Sequence, residues 1–145
     1  MFLALHNVTR WLVLLLALVA LVRALKGVSG SVDYASGAKR AVSRFTISVH
    51  VQFLLGVVLF GVSPLTRKAM GDVGGTMHDP GTRFFFVEHP TLMVLAIIVA
   101  TATGVIARRG PDDTVRHRRA AIGVAIALCL ILAGMPWQRP LLPHF

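Results

Sequence analysis

Four long apolar stretches, each close to the length that spans a bilayer, dominate this sequence and constrain its architecture more than any other feature. They run over about 2–25, 41–63, 83–107 and 116–135, with polar punctuation between them. A helical crossing needs about 20 predominantly apolar residues. In hydrocarbon every backbone N–H and C=O must be satisfied within the protein, so such stretches are expected to be helices. The expected fold is an all-α integral membrane protein with a single domain over 1–145. Three short connections make successive helices antiparallel neighbours, which predicts an up-down-up-down bundle of four transmembrane helices.

Composition narrows the function classes. With 55% apolar and only 14% charged residues, and a mean hydropathy of +0.73, the chain is far from a soluble globular average. A net charge of +9 would suggest nucleic acid in a soluble protein. Here the basic residues cluster between apolar spans, where they set orientation and meet anionic headgroups, so the expected partner is the lipid bilayer and not nucleic acid. The single cysteine, Cys129, lies inside an apolar stretch, which excludes a disulfide framework and a cysteine-based metal site.

The loops predict the topology. Residues 23–44 carry Arg23, Lys26, Lys39, Arg40 and Arg44 against Asp33 alone. Residues 108–119 carry Arg108, Arg109, Arg116, Arg118 and Arg119 against Asp112 and Asp113. The positive-inside rule assigns both loops to the cytoplasm, which puts both termini and the 64–82 connection outside. Trp11, Phe84 to Phe86 and Trp137 then fall near the outer interface, where aromatic residues are favoured. The first stretch is read as a retained span, because Arg23 and Lys26 follow its apolar core where a signal peptide carries charge before it.

Polar groups inside a bilayer are costly, so each asks for a reason. Four of the six histidines fall on the spans: His6, His50, His89 and His117. His6 lies about one turn into the first helix from outside, and His89 one to two turns into the third from the same side. Those helices form one diagonal of an up-down-up-down bundle. Two imidazoles at matched depth on facing helices are what axial ligation of haem b requires. From His6 the same face continues through Val13, Ala17, Ala20 and Ala24, and from His89 through Met93, Ala96, Ala100, Gly104 and Ala107. A flat macrocycle needs such small residues facing it, although Ala/Gly stripes are also ordinary packing faces in membranes.

His50 lies about two turns into the second helix from the cytoplasmic side, on a face reading Ser43, Ile47, His50, Leu54, Val57 and Gly61. With His117 it would make the other diagonal and a second, inner haem site. The two depths differ by on the order of 10 Å, and His117 reads better as a loop histidine within the basic run Arg116-His117-Arg118-Arg119 than as a ligand. Arg10, one turn below His6, would pair with a haem propionate or with Glu88, or else snorkel to the outer headgroups. Arg83 and Arg44 stand at helix ends with the same two options. His78 and His144 read as solvated. Pro90 is tolerable near a helix start and would kink a helix deeper in.

The strings LHNVTRW (5–11), HVQFLLGVVLFGVSP (50–64), RFFFVEHPTLM (83–93) and PWQRPL (136–141) resemble small four-helix bacterial membrane proteins of the cytochrome b or b561-like kind. The resemblance covers nearly the whole chain. It implies a haem b electron-transfer protein of the bacterial inner (cytoplasmic) membrane, with periplasmic termini and with His6, His50, His89 and His117 as ligand candidates for one or two haems. Its partners would be quinone or a redox protein, or the subunits of a larger respiratory complex. In that role the chain is an electron carrier and not an enzyme with its own substrate. The alternatives are a haem-free accessory subunit, and a quinone- or haem-handling membrane enzyme using His50 or His89 as acid or base.

Overall fold

The computed structural model describes residues 2–30 and 32–137. The expected outer tail from Gln138 onward, including His144, lies outside the described residues. Among the described residues the chain is all-helical. Helix α1 spans Phe2–Val28, and a 3-10 turn at Tyr34–Ser36 leads into α2, Ala38–Val62. Three short helices follow: α3 at Pro64–Gly71, α4 at Val73–His78 and α5 at Pro80–Arg83. A π-turn over Phe84–Glu88 joins α5 to α6, His89–Arg108, and α7 runs over Asp113–Ala133.

Among the described residues three helical units are long and apolar enough to cross a membrane: Phe2–Val28, Ala38–Val62 and the continuous run Pro80–Arg108. Helix α7 differs from these. Its first two turns hold Asp113, Arg116, His117, Arg118 and Arg119, which leaves a shorter apolar portion than the fourth stretch had suggested.

The four long helices pack in a closed order. Helix α1 lies against α2 and α7, and α6 lies against α7 and α2. Their contacts are made by small side chains at helical spacing: Val13, Ala17, Ala20, Ala24 and Gly27 on α1, and Ala96, Ala100, Thr103 and Ala107 on α6. Helix α7 contributes Ala120, Val124 and Ala127. The face expected on α1 is thus the buried one. On α6, Thr103 occupies the buried position and Gly104 sits at its margin, with open space beside it.

Large apolar side chains point the other way, as with Ile47 and Leu54, each 64% exposed. Small residues inside and leucine or isoleucine outside suit helices whose surroundings are as apolar as their core, where close backbone approach supplies the packing energy. Two glycines make this approach possible at the α7 contacts. A Cβ at Gly27 would lie 2.1 Å from the His117 ring, and one at Gly123 would lie 2.0 Å from Thr103 Oγ1.

The helix ends follow from local chemistry. Pro64 forces Ser63 into an extended conformation (φ −68°, ψ 128°), which ends α2 and starts α3. Asp72, Asp79 and Asp112 each place a carboxylate on a free backbone N–H of the following first turn, at Gly75, Thr82 and Val115. The 64–82 connection is therefore helical and capped, where a loop had been expected.

The π-turn sits where Pro90 requires an adjustment. Pro90 has no N–H to return to the carbonyl four residues back. The widened turn, closed by the His89 N–H on Phe84 O, carries the chain into α6 without breaking it.

The Thr82 side-chain hydroxyl donates to Asp79 and holds its carboxyl below the usual carboxylate range, with the backbone N–H of Thr82 adding to the effect. A depressed folded pKa contributes stability that is present above the unfolded pKa and lost as pH falls through the folded one. Amide hydrogen exchange at Thr82 and Arg83 should therefore rise on acidification below the ordinary carboxylate range, after correction for intrinsic rates. Asp79→Ala should show the faster exchange already at neutral pH. Identical protection in both proteins at every pH would refute this role for the cap.

Candidate functional site

At the end of the four long helices where α1 and α6 begin, the structure brings His6 and His89 together, with ring centres 6.3 Å apart and ring planes at 74°. Each is held from a different direction. The His89 Nδ1–H donates to the carbonyl of Gly134 at 2.7 Å. Gly134 caps the C-terminus of α7, so the acceptor lies among the terminal carbonyls that helical hydrogen bonding leaves free. This assignment puts the proton on Nδ1 and leaves the lone pair of Nε2 available. A backbone carbonyl orienting the far nitrogen is also how metal-binding histidines are commonly fixed.

His6 is positioned through its backbone. Gln52 of α2 donates Nε2–H to the His6 carbonyl at 2.9 Å, while its own Oε1 accepts from the Thr9 hydroxyl. Gln52 thus ties α1 to α2 at the level of His6. One turn further along α2, Gly56 faces the imidazole, and a Cβ there would stand 3.4 Å from His6 Cε1, in van der Waals contact. The buried Nδ1 of His6 has no hydrogen-bond partner among the described residues.

Aromatic rings enclose the pair on the α6 side. The Phe84 and Phe85 ring centres are 6.1 Å and 6.4 Å from that of His89, and Phe86 stacks on Phe60 of α2 at 5.8 Å. Arg10 is buried one turn below His6, with its guanidinium 5.6 Å from the Trp11 ring centre. Glu88, one of the partners expected for Arg10, is engaged by Arg83 at 2.7 Å. Arg83 also donates to the Met77 carbonyl, which joins the short helices to the start of the third span.

The other two candidate histidines are not brought together, which corrects the inner pairing of His50 with His117. His50 is exposed on α2, where its Nδ1–H donates to Thr46 O at 2.8 Å and its Nε2 lies 3.5 Å from Thr101 Oγ1 of α6. Its face, with Ile47, Leu54 and Val57, points outward because Ala41, Val42, Phe45 and Val49 form the buried side of α2. His117 is 1% exposed and belongs to α7, not to a loop. Its Nε2–H donates to Val32 O at 3.0 Å, and the buried Tyr34 ring meets it edge-on at 5.2 Å. His117 therefore serves as an internal tie between α7 and the α1–α2 connection. Its depth depends on α7 beginning at Asp113, three residues before the apolar stretch had suggested.

His78 is exposed at the end of α4. Among the described residues no group of three or more histidine, cysteine or carboxylate side chains converges as a metal site would require. An axial pair on a macrocycle needs only two.

Gln52 and Gly134 are the contributors that reading the histidines alone does not find. Gln52 stands out as a lone amide in an apolar run. The Gly134 carbonyl leaves no side-chain signal. Comparison with protein-family models, with curated proteins and with solved structures gave no match to this chain.

Proposed function

We propose that this chain is a b-type haem protein that carries electrons within a bacterial cytoplasmic membrane, with α7 as a fourth span completing an up-down-up-down bundle. The basic loops at 23–44 and 108–119 favour an orientation with both termini on the outer side.

The observation that carries the reading is the His6–His89 pair. Two imidazoles that each reach one iron through a bond of about 2 Å have ring centres roughly 6 Å apart, and these stand 6.3 Å apart. The separation is therefore the one that His6 and His89 would need to hold a haem iron between them. A haem b bound there would supply a one-electron ferric/ferrous couple. The protein's part is positional. Gly134 holds His89 in the tautomer that presents Nε2, and Gln52 fixes the α1 backbone at His6. Phe84 and Phe85 pack beside the His89 ring. Arg10 brings a buried positive charge within one turn of His6, suited to a propionate.

In this role the chain hands electrons between quinone, or a redox protein, and a partner, which could be a subunit of a larger respiratory complex. His6 and His89 together would hold one haem. Purified protein should give a pyridine haemochrome spectrum with a haem-to-protein ratio near one. A colourless protein from haem-replete cells would sink the reading and leave the accessory-subunit alternative.

A further inference from the structure

At the opposite end of the helices a second site is built between α1 and α2. A cavity of about 260 Å³ opens there, lined by Leu16, Val19, Arg23, Arg40, Arg44 and Gly37. Three guanidinium side chains therefore share one cavity. Arg40 donates to the Ser36 carbonyl, and no carboxylate pairs with any of the three among the described residues. Gly37 is the N-cap of α2 and places no side chain on the first-turn N–H groups. Those donors and the helix dipole add positive potential to the same spot. The Arg23 guanidinium is seated over this turn, since a Cβ at Gly37 would lie 3.0 Å from its Nη1.

Like charges repel. Three arginine side chains lining one cavity, one of them seated over a helix N-terminus without a side-chain cap, define at the edge of an apolar span a place that an anion would stabilise. Its depth selects which anion. Leu16 and Val19 lie one to two turns deeper along α1 than Arg23, so the basic rim continues directly into an apolar groove. A free phosphate would use the rim and leave the groove unfilled. A phospholipid would use both.

We propose that this cavity binds the phosphate headgroup of one anionic phospholipid, with Arg23, Arg40 and Arg44 around the phosphodiester and an acyl chain along Leu16 and Val19. The site is independent of the His6–His89 pair and of any haem. Basic pockets between membrane helices on the cytoplasmic side recognise anionic headgroups by this combination of charge and apolar lining.

The test follows thermal unfolding of the purified full-length protein in detergent by its helical signal, with added phosphatidylglycerol, phosphatidylcholine or inorganic phosphate. Phosphatidylglycerol should raise the midpoint and the other two should not. In the R23Q/R40Q/R44Q variant the apparent affinity for phosphatidylglycerol should fall on the order of a hundredfold, as expected for three headgroup-facing charges. The R108Q/R109Q/R118Q variant, which loses equal charge from the other basic loop, should respond like the wild type. Should the first variant not fold, native mass spectrometry of the wild type decides, with one phosphatidylglycerol retained in preference to phosphatidylcholine as the supporting result. Equal response to both lipids, a shift reproduced by inorganic phosphate, or an unchanged R23Q/R40Q/R44Q response would each overturn the assignment.

Discussion

His6→Ala and His89→Ala should each take the haem-to-protein ratio from near one to near zero, while His50→Ala leaves it unchanged. The two rings stand edge-on with centres 6.3 Å apart, so on the proposed reading removing either would leave a single imidazole for the iron and an opening on its side. A b-type haem has no covalent tether, and its retention rests on those two bonds and the enclosing side chains. His50 lies on the outward face of α2 with its own partners, Thr46 and Thr101, and should not enter the count. The pyridine haemochrome assay measures the ratio directly. Loss of haem in His50→Ala with retention in His6→Ala would overturn the site. His117→Ala should keep the haem but weaken the fold, because it empties a fully buried position.

The second large effect is expected far from that site, at Gly27. A methyl group there would lie 2.1–2.2 Å from three atoms of the His117 ring, where non-bonded carbon contacts prefer about 3.5–4.0 Å. A flexible neighbour would move aside, but His117 is fixed by the Val32 carbonyl and the edge of Tyr34. Gly27→Ala must therefore separate α1 from α7 or expel the ring. Overpacking of this kind costs about 1–3 kcal/mol, and losing the Val32 hydrogen bond adds about 1 kcal/mol. Thermal unfolding in detergent should show the loss. The Gly27→Ala/His117→Ala double variant should recover part of it, with a coupling of about 1 kcal/mol or more. A Gly27→Ala protein as stable as the wild type would mean that α1 and α7 do not meet here.

How much of this is legible in the sequence depends on which force sets each feature. The long helices are readable because their apolar stretches must satisfy their own backbones. The buried stripe of α1 is readable because Val13, Ala17, Ala20 and Ala24 repeat at helical spacing among larger leucines. On α2 the buried side is not the one that carries His50. It is set by how Phe45 and Val49 fit their neighbours, which spacing alone does not report.

Helix α7 is less legible as a span, because Asp113 and the basic run Arg116 to Arg119 occupy its first two turns and shorten its apolar portion. The helices within 64–82 were hidden by glycines. Their signals, Ser63-Pro64, Asp72 and Asp79-Pro80, were present in the chain. For the site, the matched depth of His6 and His89 pointed to the pair that the structure brings together. The groups that orient it were less visible: a backbone carbonyl at Gly134 belongs to no residue type, and Gln52 acts on backbone atoms.

The five-residue turn at Phe84–Glu88 has a consequence for how the chain could change length. Each residue in an α-helix rotates the next side chain by about 100°, so a helix that both anchored Arg83 to Met77 and aimed His89 at Gly134 would have to meet two angular demands at once. The wider turn absorbs the extra residue between them. Deleting one residue from 84–88 would restore a regular ladder and rotate the two ends relative to each other, so either the Arg83 contact or the His89 contact would survive, but not both. The turn acts as an angular adapter that lets the short helices α3 to α5 and the helix that carries His89 keep separate registers.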